Sequence, residues 1–318
     1  VFELPHRDAL SEIVERYARL LSSVGDDLGE RPLVLPTGEF FPDRFTSDEA
    51  STQRLVARMA AHAGLDGVPL TTRVVAEEEP DAPHEGCSSG CAVPAASAAG
   101  TPRLVDHGDG FTLNVPSPEL GHPVVLTTMV ARALGHVFLI EALPDAASIE
   151  APADLSADYA AVALGFGPLL LEGAYIYSKG CGGPRVAQVT RAALPELAVL
   201  TALFIEMGEH PARRATKELG ATQEAALGDA LEWAKTNRDL CARLVRDPAR
   251  VAAGDYTFGD SKPWLLRVFG KKRKPSAEDI PADLFRSRPE KPKAPDPATD
   301  ELRELVGEAL SSARADAE

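Results

Sequence analysis

The chain has 318 residues, 44% of them hydrophobic and 25% charged, which is the balance of a globular protein able to bury a real core. Its formal net charge of -15 repels phosphate backbones and anionic lipid, so nucleic acid and membrane surfaces are not expected as general partners. Four cysteines, Cys87, Cys91, Cys181 and Cys241, are too few and too scattered for a disulfide framework.

No basic segment followed by an apolar run opens the chain, and no stretch is expected to reach the roughly 18 apolar residues of a membrane span. The longest apolar run, 160–171, is broken by Gly165, Gly167 and Pro168. The opening Val1-Phe2-Glu3 has no Met, which suggests a trimmed start. A cytoplasmic location is the expectation.

In chain order, residues 8–23 carry Leu10, Ile13, Val14, Tyr17, Leu20 and Leu21 at helical spacing and predict an amphipathic helix. Leu33-Val34-Leu35, closed by Pro36, reads as a short strand. Ser47 or Asp48 can cap a helix that runs to about Ala63 and ends at Gly64, although the Ser47 and Ala50 spacing lacks a full capping box. The β-branched run 71–76 reads as a strand, and residues 77–100, rich in Pro, Gly, Ser, Ala and acid, as a mobile surface loop. Residues 103–105 and 111–115 flank His107-Gly108-Asp109-Gly110 and predict a β-hairpin.

Helices are expected from there on, over 123–143, 154–171, 185–207, 211–219 and 222–245, with Pro195 starting or kinking a segment of the third. Strands in the first third and helices after it make the expected fold class α+β. A globular domain over 1–260 is expected, then a Pro- and charge-rich linker over 261–298 and a C-terminal helix over 299–318. Leu302, Leu305, Val306, Ala309 and Leu310 make residues 299–315 amphipathic.

The chemistry should lie in Ala131-Arg132-Ala133-Leu134-Gly135-His136-Val137-Phe138-Leu139. In an H-E-x-x-H helix, two His one turn apart reach a single zinc ion, and the Glu between them activates the metal-bound water. Two more segments accompany it: Pro36-Thr37-Gly38-Glu39-Phe40-Phe41-Pro42-Asp43-Arg44-Phe45, and Ala157-Asp158-Tyr159-Ala160-Ala161-Val162-Ala163-Leu164-Gly165-Phe166-Gly167.

In order and spacing, across 33–243, these three segments resemble a bacterial family of zincin-like proteins. Its members read P-T-x-E-F-F-P-x-x-(Y/F), A-H-E-L-(A/G)-H-V-(L/F)-L and T-D-(L/Y)-x-x-V-x-x-G-(F/L)-G. The resemblance implies a zincin-like fold, with a small N-terminal sheet on a mostly helical remainder. It also implies that Arg132 stands at the first His position, Ala133 at the catalytic Glu, His136 at the second His and Asp158 at the later acidic ligand.

A guanidinium has no lone pair for a metal, and Ala133 has no group that can transfer a proton. The expected function is therefore a catalytically inactive metallopeptidase-like protein that binds or scaffolds, with no catalytic residue and no cofactor. One alternative is a metal-dependent hydrolase that holds zinc at His136 and Asp158 with atypical ligands such as His122 or the Cys87/Cys91 loop. Another is a structural metal protein built on that loop. Arg132 either pairs with Asp158 in place of the metal's charge or reaches out to solvent.

His84, Cys87 and Cys91 share one loop and are the other candidate metal ligands, with His107 and Cys181 as distant ones; the plainer reading is a metal-free loop, because four converging ligands are not evident. Asp154, four residues before Asp158, reads as a helix cap. Gly165-Phe166-Gly167-Pro168 lacks the Lys-Ser or Lys-Thr of a phosphate loop, and no G-x-S-x-G elbow occurs. His122 reads as a helix-start contact, His6, His62 and His210 as surface residues, and Lys271-Lys272-Arg273-Lys274 as a solvated run. A protein partner is expected through helix 299–315, the alternative being that this helix docks back on its own domain.

Overall fold

A computed structural model of the chain describes residues 4–24, 31–76, 103–143, 153–180 and 183–259. The chain divides into Val1–Lys262 and Pro263–Glu318. The second unit lies outside the described residues, as do His84, Cys87, Cys91 and Cys181. The expectations for the basic run 271–274 and the helix 299–315 therefore fall outside them too.

Helix α1 (Arg7–Val24) buries Leu10, Ile13, Val14, Tyr17, Ala18 and Leu21, the stripe its spacing predicts. Helix α2 (Glu49–His62) starts at Asp48, whose carboxylate accepts the Ser51 N–H at 2.6 Å while Ser51 Oγ accepts the Asp48 N–H at 3.2 Å. That is a full capping box. The expected spacing, Ser47 to Ala50, lies one residue too early; Ser47 instead takes a positive φ of 55° just ahead of the cap.

Strands β1 (Leu70–Val75), β2 (Leu104–Asp106) and β3 (Phe111–Pro116) form a sheet in the order β1-β3-β2, with β1 parallel and β2 antiparallel to β3. Phe111, Leu113 and Val115 alternate into the core. Helix α2 covers the outer edge of β1 with side chains. Gln53 accepts the Thr72 N–H at 2.7 Å and donates to the Leu70 carbonyl at 2.9 Å, and Glu49 accepts the Val74 N–H at 3.1 Å. Two N–H groups that an added strand would use are thereby taken.

Helix α3 (Pro123–Ala142) carries Pro at its first position, where the missing N–H costs nothing. Helix α4 (Ala153–Ala161) runs through a π-helical turn, Val162–Phe166, into α5 (Gly167–Ala174). The single helix expected over 154–171 is thus bent. Gly165 has φ 91°, and a Cβ there would lie 2.1 Å from the Pro32 carbonyl oxygen, so only glycine fits. Its own carbonyl accepts the Val34 N–H at 3.0 Å. Leu33, Val34 and Leu35 are buried by this contact, but they pair with no strand among the described residues, which corrects the strand expected there.

A second correction concerns 185–207. Strand β4 (Ile176–Gly180) pairs antiparallel with β5 (Gly183–Ala187), and helix α6 (Leu194–Met207) begins only at Leu194, with Pro195 in its first turn. Strands are therefore not confined to the first third. The helix expected over 222–245 is two, α8 (Ala221–Thr236) and α9 (Arg238–Arg246), after a short α7 (Ala212–Lys217). Asn237 divides them: its side chain donates to the Trp233 carbonyl at 2.8 Å and accepts the Gly259 N–H at 2.7 Å. A last turn, α10 (Pro248–Ala252), packs on α1.

The fold is α+β, mostly helical with small sheets. The segments Pro123–Ala142 and Leu155–Ala174 have the length and mean hydropathy, 1.7 and 1.2, of a membrane span, contrary to the expectation that no stretch reaches it. They are also 67% and 89% buried within the protein, as the interior helices of a globular core are.

Candidate functional site

Helices α3 and α4 meet without a side chain between them at Gly135. A Cβ at Gly135 would stand 2.2 Å from the Ala157 carbonyl oxygen and 2.9 Å from the Ala161 nitrogen. That approach brings Arg132, one turn before Gly135, against Asp158, the residue after Ala157. Arg132 Nε donates to Asp158 Oδ1 at 2.5 Å. Asp158 is fully buried and the Arg132 side chain is 14% exposed. Arg132 therefore pairs with Asp158 and does not reach out to solvent.

The second carboxylate oxygen is occupied as well. Oδ2 of Asp158 accepts the backbone N–H groups of Arg191 at 2.6 Å and Ala192 at 2.7 Å. Arg132 Nη1 donates in turn to the Val189 carbonyl at 3.0 Å and touches the Met129 sulfur at 3.7 Å. The pair thus ties α3 and α4 to the loop between β5 and α6. The loop braces itself: Thr190 Oγ1 and Gln188 Nε2 both donate to the Ala192 carbonyl, at 2.8 and 3.0 Å. Burial pushes the Asp158 carboxyl above its ordinary value, against the pull of the Arg132 charge and of the Ala192 and Arg191 N–H groups.

The other members of the expected motif are placed differently. Ala133 is 6% exposed and belongs to the main core cluster, so its methyl group faces packing rather than a cleft. His136 is half-buried one turn after Arg132. His122 precedes α3 without capping it through its side chain. Fourteen residues separate His122 from His136, and at about 1.5 Å of rise per residue they stand some 21 Å apart along one helix. They cannot share a metal ion. Among the described residues no three of His, Cys, Asp and Glu converge on one point. Arg132 and the engaged oxygens of Asp158 do not fit a zinc ion between these helices.

Asp154 lies in the first turn of α4 rather than before it. His107 binds Thr112 Oγ1 at 2.9 Å across its own hairpin. His62 and His210 are half-buried, which corrects their reading as surface residues: His62 contacts the Phe40 carbonyl at 3.1 Å, and His210 stacks on Phe204 with ring centroids 5.0 Å apart.

Two features went unnoticed in the sequence. Tyr159, next to Asp158, donates its hydroxyl to Glu196 at 2.5 Å beneath the guanidinium of Arg16, 5.6 Å from the ring centre. Burial, first, and the Glu196 charge raise its pKa far above the ordinary phenol value. The other feature is a cavity of about 370 Å³ between the 36–45 segment, α2 and the start of α3, with Leu169 of α5 in its wall.

Comparison of the chain with protein-family models, with curated proteins and with solved structures finds no match.

Proposed function

We propose that this protein is a metal-free relative of zinc metallopeptidases that acts by binding rather than by hydrolysis. The observation that carries this reading is the Arg132–Asp158 ion pair, with Val189, Arg191 and Ala192 closed around it. A metal ligand must present a free lone pair, and a general base must be able to take a proton from water. Arg132 can do neither, and both oxygens of Asp158 are engaged by donors. The cation that joins the two helices is a guanidinium held by the chain itself. The zincin ancestry rests on the three resembling segments alone, and the binding role on the absence of a metal ligand at Arg132 and of a general base at Ala133.

A hydrolase with atypical ligands is less well supported, since His122 and His136 lie too far apart along α3 to act together. The loop of His84, Cys87 and Cys91 belongs to the structural-metal alternative and falls outside the described residues. A protein partner for helix 299–315 remains part of the proposal on its amphipathic spacing alone.

Peptide hydrolysis by the purified full chain, with added zinc and with a chelator, tests this reading. No chelator-sensitive cleavage is expected. Cleavage that is lost on chelation and in a His136→Ala variant would overturn it.

A further inference from the structure

The cavity beside the 36–45 segment lies outside the ion-paired junction, and the proposed function does not use it. Its walls are overwhelmingly apolar, formed by Phe41, Phe45, Leu55, Val124, Leu126 and Leu169. At about 370 Å³ it falls at the small end of ligand sites, which run from roughly 300 to 1,000 Å³.

The charges on its lining sort themselves. Asp43 is held by Arg58 at 2.6 Å. Glu172 accepts the Gly220 N–H at 2.7 Å. Arg44 is exposed and has no partner among the described residues.

An apolar chamber with one uncommitted cation on its lining matches a ligand with an apolar body and an anionic head. We propose that this cavity binds a medium-chain acyl carboxylate, its chain among Phe41, Phe45, Leu126 and Leu169 and its carboxylate met by Arg44. The carboxylate is a pure acceptor, and the Arg44 guanidinium is a pure donor. This site goes beyond the proposed function and stands whether or not the chain descends from metallopeptidases.

The test is isothermal titration of the full chain with decanoate below its micelle concentration, with decanol as the uncharged match. Decanoate should bind one-to-one and decanol about tenfold or more weaker, the loss expected when a charge-assisted contact is removed. Arg44→Gln should bring decanoate down to the affinity of decanol. Val124→Trp, at a partly exposed position on the first turn of α3, should block the mouth and abolish binding of both. Thermal melts of each variant separate loss of binding from loss of folding. Absence of saturable decanoate binding, equal affinity for decanol, or an undiminished signal in Val124→Trp would each overturn the proposal.

Discussion

Gly135 of α3 lies so close to Ala157 of α4 that an added methyl group would fall 2.2 Å from the Ala157 carbonyl oxygen. This contact sets the distance across which Arg132 reaches Asp158. One stripe of α3 faces the bent α4–α5 helix: Thr128 donates to the Leu169 carbonyl of α5 at 2.9 Å, Arg132 meets Asp158 of α4, and Gly135 admits the backbone of α4. The residues at i, i+4 and i+7 therefore share one face and one task.

Gly135→Ala should separate the two helices. Backbone atoms at 2.2 and 2.9 Å cannot yield as a flexible side chain would, and overpacking of this kind costs about 1–3 kcal/mol or more. Gly228 in α8 has open space around its Cβ position. Gly228→Ala should therefore stabilise the domain, by about 0.5–1 kcal/mol, because it meets nothing and favours the helix. Urea denaturation of the two variants should move their midpoints in opposite directions.

Arg132→Met leaves the Asp158 carboxylate buried without its cation. Breaking a buried pair from one side costs about 3–5 kcal/mol, against about 0–1 kcal/mol for an exposed pair. Adding Asp158→Asn should recover part of the loss, since a neutral amide oxygen can still accept the Arg191 and Ala192 N–H groups. A denaturation cycle over the four proteins measures this. A cost near zero for Arg132→Met would mean that the pair does not hold the junction.

His210 is stacked on Phe204, and burial lowers its pKa from the ordinary 6.5. An unfolded imidazole then takes up a proton that the folded one refuses. The stability linked to His210 is complete above pH 6.5 and is lost as pH falls through the lower folded pKa. Asp158 works in the opposite sense, because its raised pKa favours the folded state on the acid side. Melting temperatures followed downward from neutral pH should fall through this window, and His210→Phe, which keeps the stacking, should flatten that part of the profile.

Much of the fold was legible because its signals are local. The stripe of α1, the Gly-rich turn between β2 and β3 and the Pro that opens α3 each specify their element without help from distant residues. The helix expected from Arg185 gives way to the β4–β5 hairpin, and Pro195 in the first turn of α6 was the better boundary. Leu33-Val34-Leu35 is apolar and buried like a strand, yet Val34 bonds to Gly165, and no short apolar run reveals such a partner.

The site was half legible. The resemblance set Arg132 and Asp158 at two metal-ligand positions and left open whether they pair; the structure shows that they do. The donors that complete it, the N–H groups of Arg191 and Ala192, are backbone atoms with no signature in side-chain identity. The cavity near Arg44 gathers residues from four parts of the chain, and no local pattern announces it.

The zinc content of the purified full chain, measured by elemental analysis after exposure to excess zinc and desalting, decides whether the Arg132 guanidinium joins α3 and α4 with no metal ion between them. No stoichiometric zinc that depends on His136 or Asp158 is expected. One zinc per chain that disappears in both His136→Ala and Asp158→Asn, but survives Cys87→Ser, would contradict it.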